Sequence, residues 1–95
     1  MTEQVFIGPV IGRNVWYRPG PHDHAGGMQI FREDQPLDAH VVFVWSDTEV
    51  NLVVFDHNGG IHRRTRVPIN CGDHIFPRAE WMPFQKGQAK ALEKL

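Results

Sequence analysis

The stretch VVFVWSDTEVNLVVFDHNGG, Val41 to Gly60, decides the fold of this chain. Two apolar runs flank the polar turn SDTE, and the second run leads into Asn58-Gly59. Asn-Gly is the strongest short hairpin signal, because a type I′ turn needs positive φ at both central residues. A two-residue loop there pairs Phe55 with His62, Val53 with Arg64, Asn51 with Arg66, Leu52 with Thr65 and Val50 with Val67. The SDTE turn then sets Trp45 against Val50, Phe43 against Leu52 and Val41 against Val54. Since side chains alternate across a strand, one face is expected to carry Val41, Phe43, Trp45, Val50, Leu52, Val54, Thr65 and Val67. The other carries His40, Val42, Val44, Asn51, Val53, Phe55, His62, Arg64 and Arg66. The first set is the more uniformly apolar and is predicted to be the core, each large side chain contributing about 1.5–3 kcal/mol on burial.

Around this meander, seven prolines and nine glycines cut the chain into short pieces, a rhythm of strands rather than helices. Asn14 to Arg18 reads as a first strand, HDHAGG as a loop, Met28 to Glu33 as a short edge strand and His74 to Arg78 as a last strand. The three best strands are His40 to Trp45, Glu49 to Asp56 and Ile61 to Pro68. Pro83 stands where a first helical turn tolerates proline, so residues 83–95 read as a short C-terminal helix. The fold class is mainly all-β, a small barrel of about five to six short antiparallel strands. Residues 1–95 form one domain with a modest core. The second sheet face has an apolar floor of Val42, Val44, Val53 and Phe55, which needs a cover. Trp81, Phe84, Leu92 and Leu95 of the C-terminal segment are the nearest candidates, with a second copy of the chain or a foreign partner as the alternatives.

Ten basic and eleven acidic residues leave the chain nearly neutral. That balance argues against a general nucleic-acid or membrane-surface binder. The single cysteine, Cys71, excludes an internal disulfide and a four-cysteine zinc site and fits a reducing cytosol. The opening MTEQVFIGPVIGRN has neither a basic start nor a long apolar run, so a soluble, intracellular protein is expected.

Few residues arrange themselves for chemistry. His22 and His24 would point the same way on a strand, as metal-binding pairs in β-barrels do, but they sit in a polar loop with no carboxylate at a matching spacing. No metal and no cofactor is therefore assigned. Ser46 lies in a turn without a glycine elbow, and reads as a residue capping its own backbone. Cys71 has His74 three residues on, which does not by itself make a catalytic dyad. The segment IHRRTRVP is the better lead. Its outward His62, Arg64 and Arg66, beside Asn51 and Phe55, would form a cationic stripe able to hold a carboxylate or phosphate bidentately.

Gly12, Arg13, Tyr17, Trp45, the run Val50-Asn51-Leu52, Val54-Phe55, Val67-Pro68 and Pro77 together resemble the pattern of a family of small proteins encoded by tailed phages and prophages. The match spans most of residues 11–78. The resemblance implies a small SH3-like barrel made in an infected bacterium, and it implies no activity. The expectation is a non-enzymatic binding protein in the host cytoplasm, engaging a host factor or an anionic small ligand as a counter-defence or host-takeover accessory. Its binding residues would be Asn51, Phe55, His62, Arg64 and Arg66, together with His22 and His24. A virion component (capsid decoration or head–tail protein) is the alternative, and a histidine-ligated metalloprotein a second. A homo-oligomer is compatible with any of these.

Overall fold

The computed structural model describes residues 6–93. Five strands, β1 (Asn14–Arg18), β2 (Leu37–Ser46), β3 (Glu49–Phe55), β4 (Ile61–Pro68) and β5 (Arg78–Glu80), form one antiparallel sheet in the order β4-β3-β2-β1-β5. The sheet curls into a half-barrel that brings β4 beside β5 without a hydrogen-bonded ladder between them. A short helix, α1 (Pro21–Ala25), follows β1, and α2 (Pro83–Glu93) closes the chain. The mainly-β architecture and C-terminal helix agree with the sequence reading.

The inner face of the curl is the core. Val15 and Tyr17 of β1, Leu37, Ala39 and Val41 of β2, and Val50, Leu52 and Val54 of β3 are all buried there, joined by Val67, Ile69 and Trp81. Each strand contributes alternate residues, as the pleat requires. Trp81 caps this core, and its indole N–H donates to Asn70 Oδ1 at 3.1 Å. Phe84, expected to cover the outer face, is instead exposed. Leu95 and the side chain of Leu92 lie outside the described residues.

Four irregularities correct the predicted register. The Asn58-Gly59 corner is a three-residue loop rather than a two-residue one: Gly59 N–H donates to Asp56 O, and Asp56 N–H to Gly60 O, both at 2.9 Å. This is a turn completed by a glycine at positive φ, here +86°, the arrangement that gives a bulged hairpin. The pairing slips by one, so Phe55 faces Ile61 and Leu52 faces Arg64. His62 and Arg64 therefore turn to the inner side, not outward. A bulge then sets Thr65 and Arg66 against Asn51 alone, restoring the expected Val50–Val67 pair. Thr65 is exposed as a result, not a core residue.

On the other side of β3, the SDTE turn closes with a two-residue loop, Ser46 facing Glu49. Two further register shifts follow on β2, between Val44 and Ser46 and between Val41 and Phe43. Each slip flips the faces, so two of them return Val41 to the core while ejecting what lies between. Phe43 and Trp45, predicted to be core, stand 45% and 46% exposed on the outer face. Val44 packs against the core in their place.

Two other expectations fail for local reasons. HDHAGG is not a loop: residues 21–25 wind into α1, with Pro21 at the helix start where its missing N–H costs nothing. Met28 to Glu33 is not a strand, although it runs beside the β3–β4 turn, where Asp56 Oδ2 accepts from Gln29 N–H and His57 Nδ1 from Phe31 N–H. The last strand begins at Arg78, where the predicted His74–Arg78 segment ends.

Candidate functional site

The outer face carries a fixed cluster of the side chains that dominate protein recognition. The Phe43 and Trp45 rings meet edge to face with centroids 4.9 Å apart. The Arg66 guanidinium lies over the Trp45 ring at 3.9 Å. Asn51 ties the group together, because its Oδ1 accepts from the Trp45 indole N–H at 2.8 Å and from the Arg66 backbone N–H at 2.9 Å. Arg66 also pairs with Glu49 at 2.9 Å. Its φ of +52° puts a non-glycine residue in the left-handed region, a conformation that needs support from its surroundings. Pairing places Arg63 opposite Val53 and Ile61 opposite Phe55 on this same face. Further along, His40 meets the Phe55 ring edge to face at 5.5 Å.

Of the predicted binding residues, Asn51, Phe55 and Arg66 share the outer face. His62 and Arg64 do not join them. Both are recruited into internal polar networks that hold the curl together. Arg64 Nε donates to Asp23 Oδ1 at 2.7 Å, and the Tyr17 hydroxyl donates to Asp23 Oδ2, also at 2.7 Å. Gly20 N–H adds a third bond to this buried carboxylate. Burial works to raise the Asp23 pKa, but the bonds from Tyr17, Gly20 and Arg64 outweigh it and hold the carboxyl below its ordinary range. The Tyr17 hydroxyl is pushed far up, first by burial and then by Asp23, so it stays a proton donor.

The second network centres on Asp56, which no motif singled out. His62 Nε2 lies 2.8 Å from its Oδ2. Gln29 N–H donates to Oδ2, and Asn58 and Gly60 N–H donate to Oδ1. The His62 contact and these backbone donors hold the Asp56 carboxyl well below the usual range against the opposing effect of burial. A Cβ at Gly60 would lie 2.7 Å from Asp56 Oδ2, so a larger residue there would have to displace this carboxylate. These residues staple structure; they leave no cationic stripe for a ligand.

His22 and His24 are both exposed on α1. On a helix, positions i and i+2 point to nearly opposite sides, so the strand argument for a shared metal lapses. Among the described residues, no three histidine, cysteine, aspartate or glutamate groups gather to hold a metal ion. Burial pushes the Cys71 thiol up, the reverse of an activated nucleophile. Ser46 Oγ accepts the Thr48 N–H, the turn role expected of it.

His24 does border a cleft of about 780 Å³ between the α1 end of β1 and the start of β5. Arg18 and Arg78 lie within it, facing one another across the β1–β5 pairing. Glu80 accepts from both, Arg18 through Nε and Arg78 through Nη2. Phe76 stands half exposed at the rim, with the Arg78 guanidinium 4.6 Å from its ring centroid.

Among the described residues, no helix is long and apolar enough to cross a membrane. No family model, no curated protein and no solved structure matches this chain.

Proposed function

We propose that this chain is a non-enzymatic binding protein that docks a protein partner on the outer face of its sheet, with Trp45, Phe43 and Arg66 at the centre of contact. One observation carries this reading. Register breaks on both sides of β3 turn those three side chains outward together. Bulges commonly re-aim side chains at functional positions, and aromatic residues and arginine are the types that dominate binding hot spots. The cluster is also pre-organised, since Asn51 fixes the indole and the Arg66 backbone at once. Rigid side chains lose little entropy on association.

The surrounding charge narrows the partner. Arg66 is matched by Glu49, whereas Arg63 on the same face has no ion-pair partner among the described residues. A partner offering an apolar recess for the aromatic pair and a carboxylate for Arg63 fits best. The resemblance to phage and prophage proteins supports a host factor in the bacterial cytoplasm as that partner, with counter-defence or host takeover as the outcome.

Capture from bacteria expressing the tagged chain, in parallel with Trp45→Ala and Arg63→Glu, tests the reading. The partner recovered by the unaltered chain should be lost with either variant, and hydrogen exchange should show protection of β2 and β3 in the complex. A partner that binds Trp45→Ala undiminished removes the outer face from consideration.

A further inference from the structure

The cleft at the other end of the sheet has a composition that the protein-docking face does not explain. Arg18 and Arg78 occupy directly opposed positions on neighbouring strands, where like charges ordinarily destabilise a pair. One carboxylate, Glu80, stands between them and accepts from both. The Arg78 guanidinium is buried and committed elsewhere too, with Nη1 donating to the carbonyls of Asp73 and Ile75. Arg18 differs. Its guanidinium lies 5.8 Å from the Trp16 ring centroid, but only its Nε is hydrogen-bonded, and its two terminal amino groups make no hydrogen bond among the described residues.

The Arg18–Arg78 end of the cleft thus holds two guanidinium groups against one carboxylate, an excess of one positive charge. Glu33, which also lines the cleft, offsets it only weakly, because its side chain is 85% exposed. Charges that far into water are screened. Around the arginines the lining turns apolar, with Pro19, Pro21 and the half-exposed Phe76 ring. The volume of about 780 Å³ falls within the range of small-molecule sites.

We infer that this cleft binds a small organic monoanion, a carboxylate attached to a flat apolar body, with the carboxylate on the free fork of Arg18 and the body against Phe76 and the prolines. The single excess charge selects a monoanion. A phosphate dianion would leave the site net negative beside Glu80, and it would put nothing against the apolar lining. This site shares no residue with the Trp45–Arg66 cluster. It also differs from the stripe of Arg64 and Arg66 expected from the sequence, since Arg64 is spent on Asp23.

Two-dimensional NMR titrations of the whole chain with benzoate, cyclohexanol and inorganic phosphate test the inference. Benzoate should produce saturable shifts centred on Gly20, His24 and Phe76, with a millimolar Kd. Cyclohexanol, lacking the charge, and phosphate, lacking the apolar body, should each give no saturable shift there. Arg18→Gln should weaken benzoate by at least about tenfold, the loss expected for a charge-assisted fork. Arg18→Lys, which keeps the charge and loses the fork, should weaken it also, and serves if the glutamine variant does not fold. Trp45→Ala should bind benzoate as the unaltered chain does. Absence of saturable benzoate shifts, shifts centred outside the cleft, equal binding by the folded Arg18 variants, or phosphate binding as tightly as benzoate would each overturn it.

Discussion

The guanidinium carbon of Arg66 sits 3.9 Å from the centroid of the Trp45 ring, and the two residues are locked to one another through Asn51. A cation on an exposed indole contributes about 0.5–1 kcal/mol to folding, far less than a central aromatic contributes to a protein interface. Trp45→Ala should therefore cost only about 1 kcal/mol of stability. Its affinity for the captured partner should fall by about 2 kcal/mol, close to thirtyfold. Thermal melts and binding titrations on the same preparation separate the two effects. A large fall in melting temperature with little change in affinity would mark Trp45 as a structural residue.

The positive φ of Arg66 yields a second prediction. A non-glycine residue held in the left-handed region costs on the order of 1 kcal/mol. Arg66→Gly should accordingly be about 1 kcal/mol more stable than Arg66→Ala in urea unfolding, although both lose the contact with Trp45. Equal midpoints would mean that the bulge relaxes once the arginine is gone.

Asp23 connects three parts of the chain, β1 through Tyr17, the entry to α1 through Gly20, and β4 through Arg64. Tyr17→Phe removes one donor to a buried carboxylate and should cost about 1–2 kcal/mol. Asp23→Ala leaves Arg64 without its partner and should cost more, about 2–4 kcal/mol, held down by the water that Arg64 still reaches. Urea unfolding of the two variants measures the order. The reverse order would show that the Tyr17 hydroxyl, not the ion pair, fastens α1 to the sheet.

Stability should fall on acidification. Asp23 and Asp56 have folded-state pKa values below the ordinary carboxylate value, held down by their hydrogen-bond donors. The unfolded chain therefore takes up protons more readily than the folded one, so stability rises with pH across this range. The contribution is complete above the unfolded aspartate pKa of about 3.9, and it is lost as pH drops from there through the lower folded values. Urea midpoints should hold steady from neutrality to about pH 5 and then decline. Asp56→Asn, less stable at neutral pH, should show a shallower decline. An equally steep acid limb in that variant would place the titrating group elsewhere.

Much of the architecture was legible because composition and turn chemistry are local. Asn58-Gly59 marked the right corner, Pro83 the start of α2, and Val50 and Val67 the right cross-strand partners. The faces of Phe43, Trp45, His62 and Arg64 were not legible. Val41 to Trp45 are five apolar residues in succession, with no alternation to say which one is the extra member of a bulge. At the Asn-Gly corner, the two-residue loop and the bulged loop share the same dipeptide, and a single added residue reverses the strand that follows. Asp56 had a readable signal, an aspartate just ahead of the turn whose side chain can bond the backbone two residues on. Asp23 with Arg64, and Arg18 with Arg78, had none, since folding alone brings such distant positions together.

The division of labour between the two sides of the sheet separates folding from the proposed docking role. The residues that make the chain fold line the concave side, and the aromatic pair with its arginine stands outside that packing. If the proposed docking role holds, exchanging the exposed trio should alter which protein is gripped while the packing of the concave side is left in place.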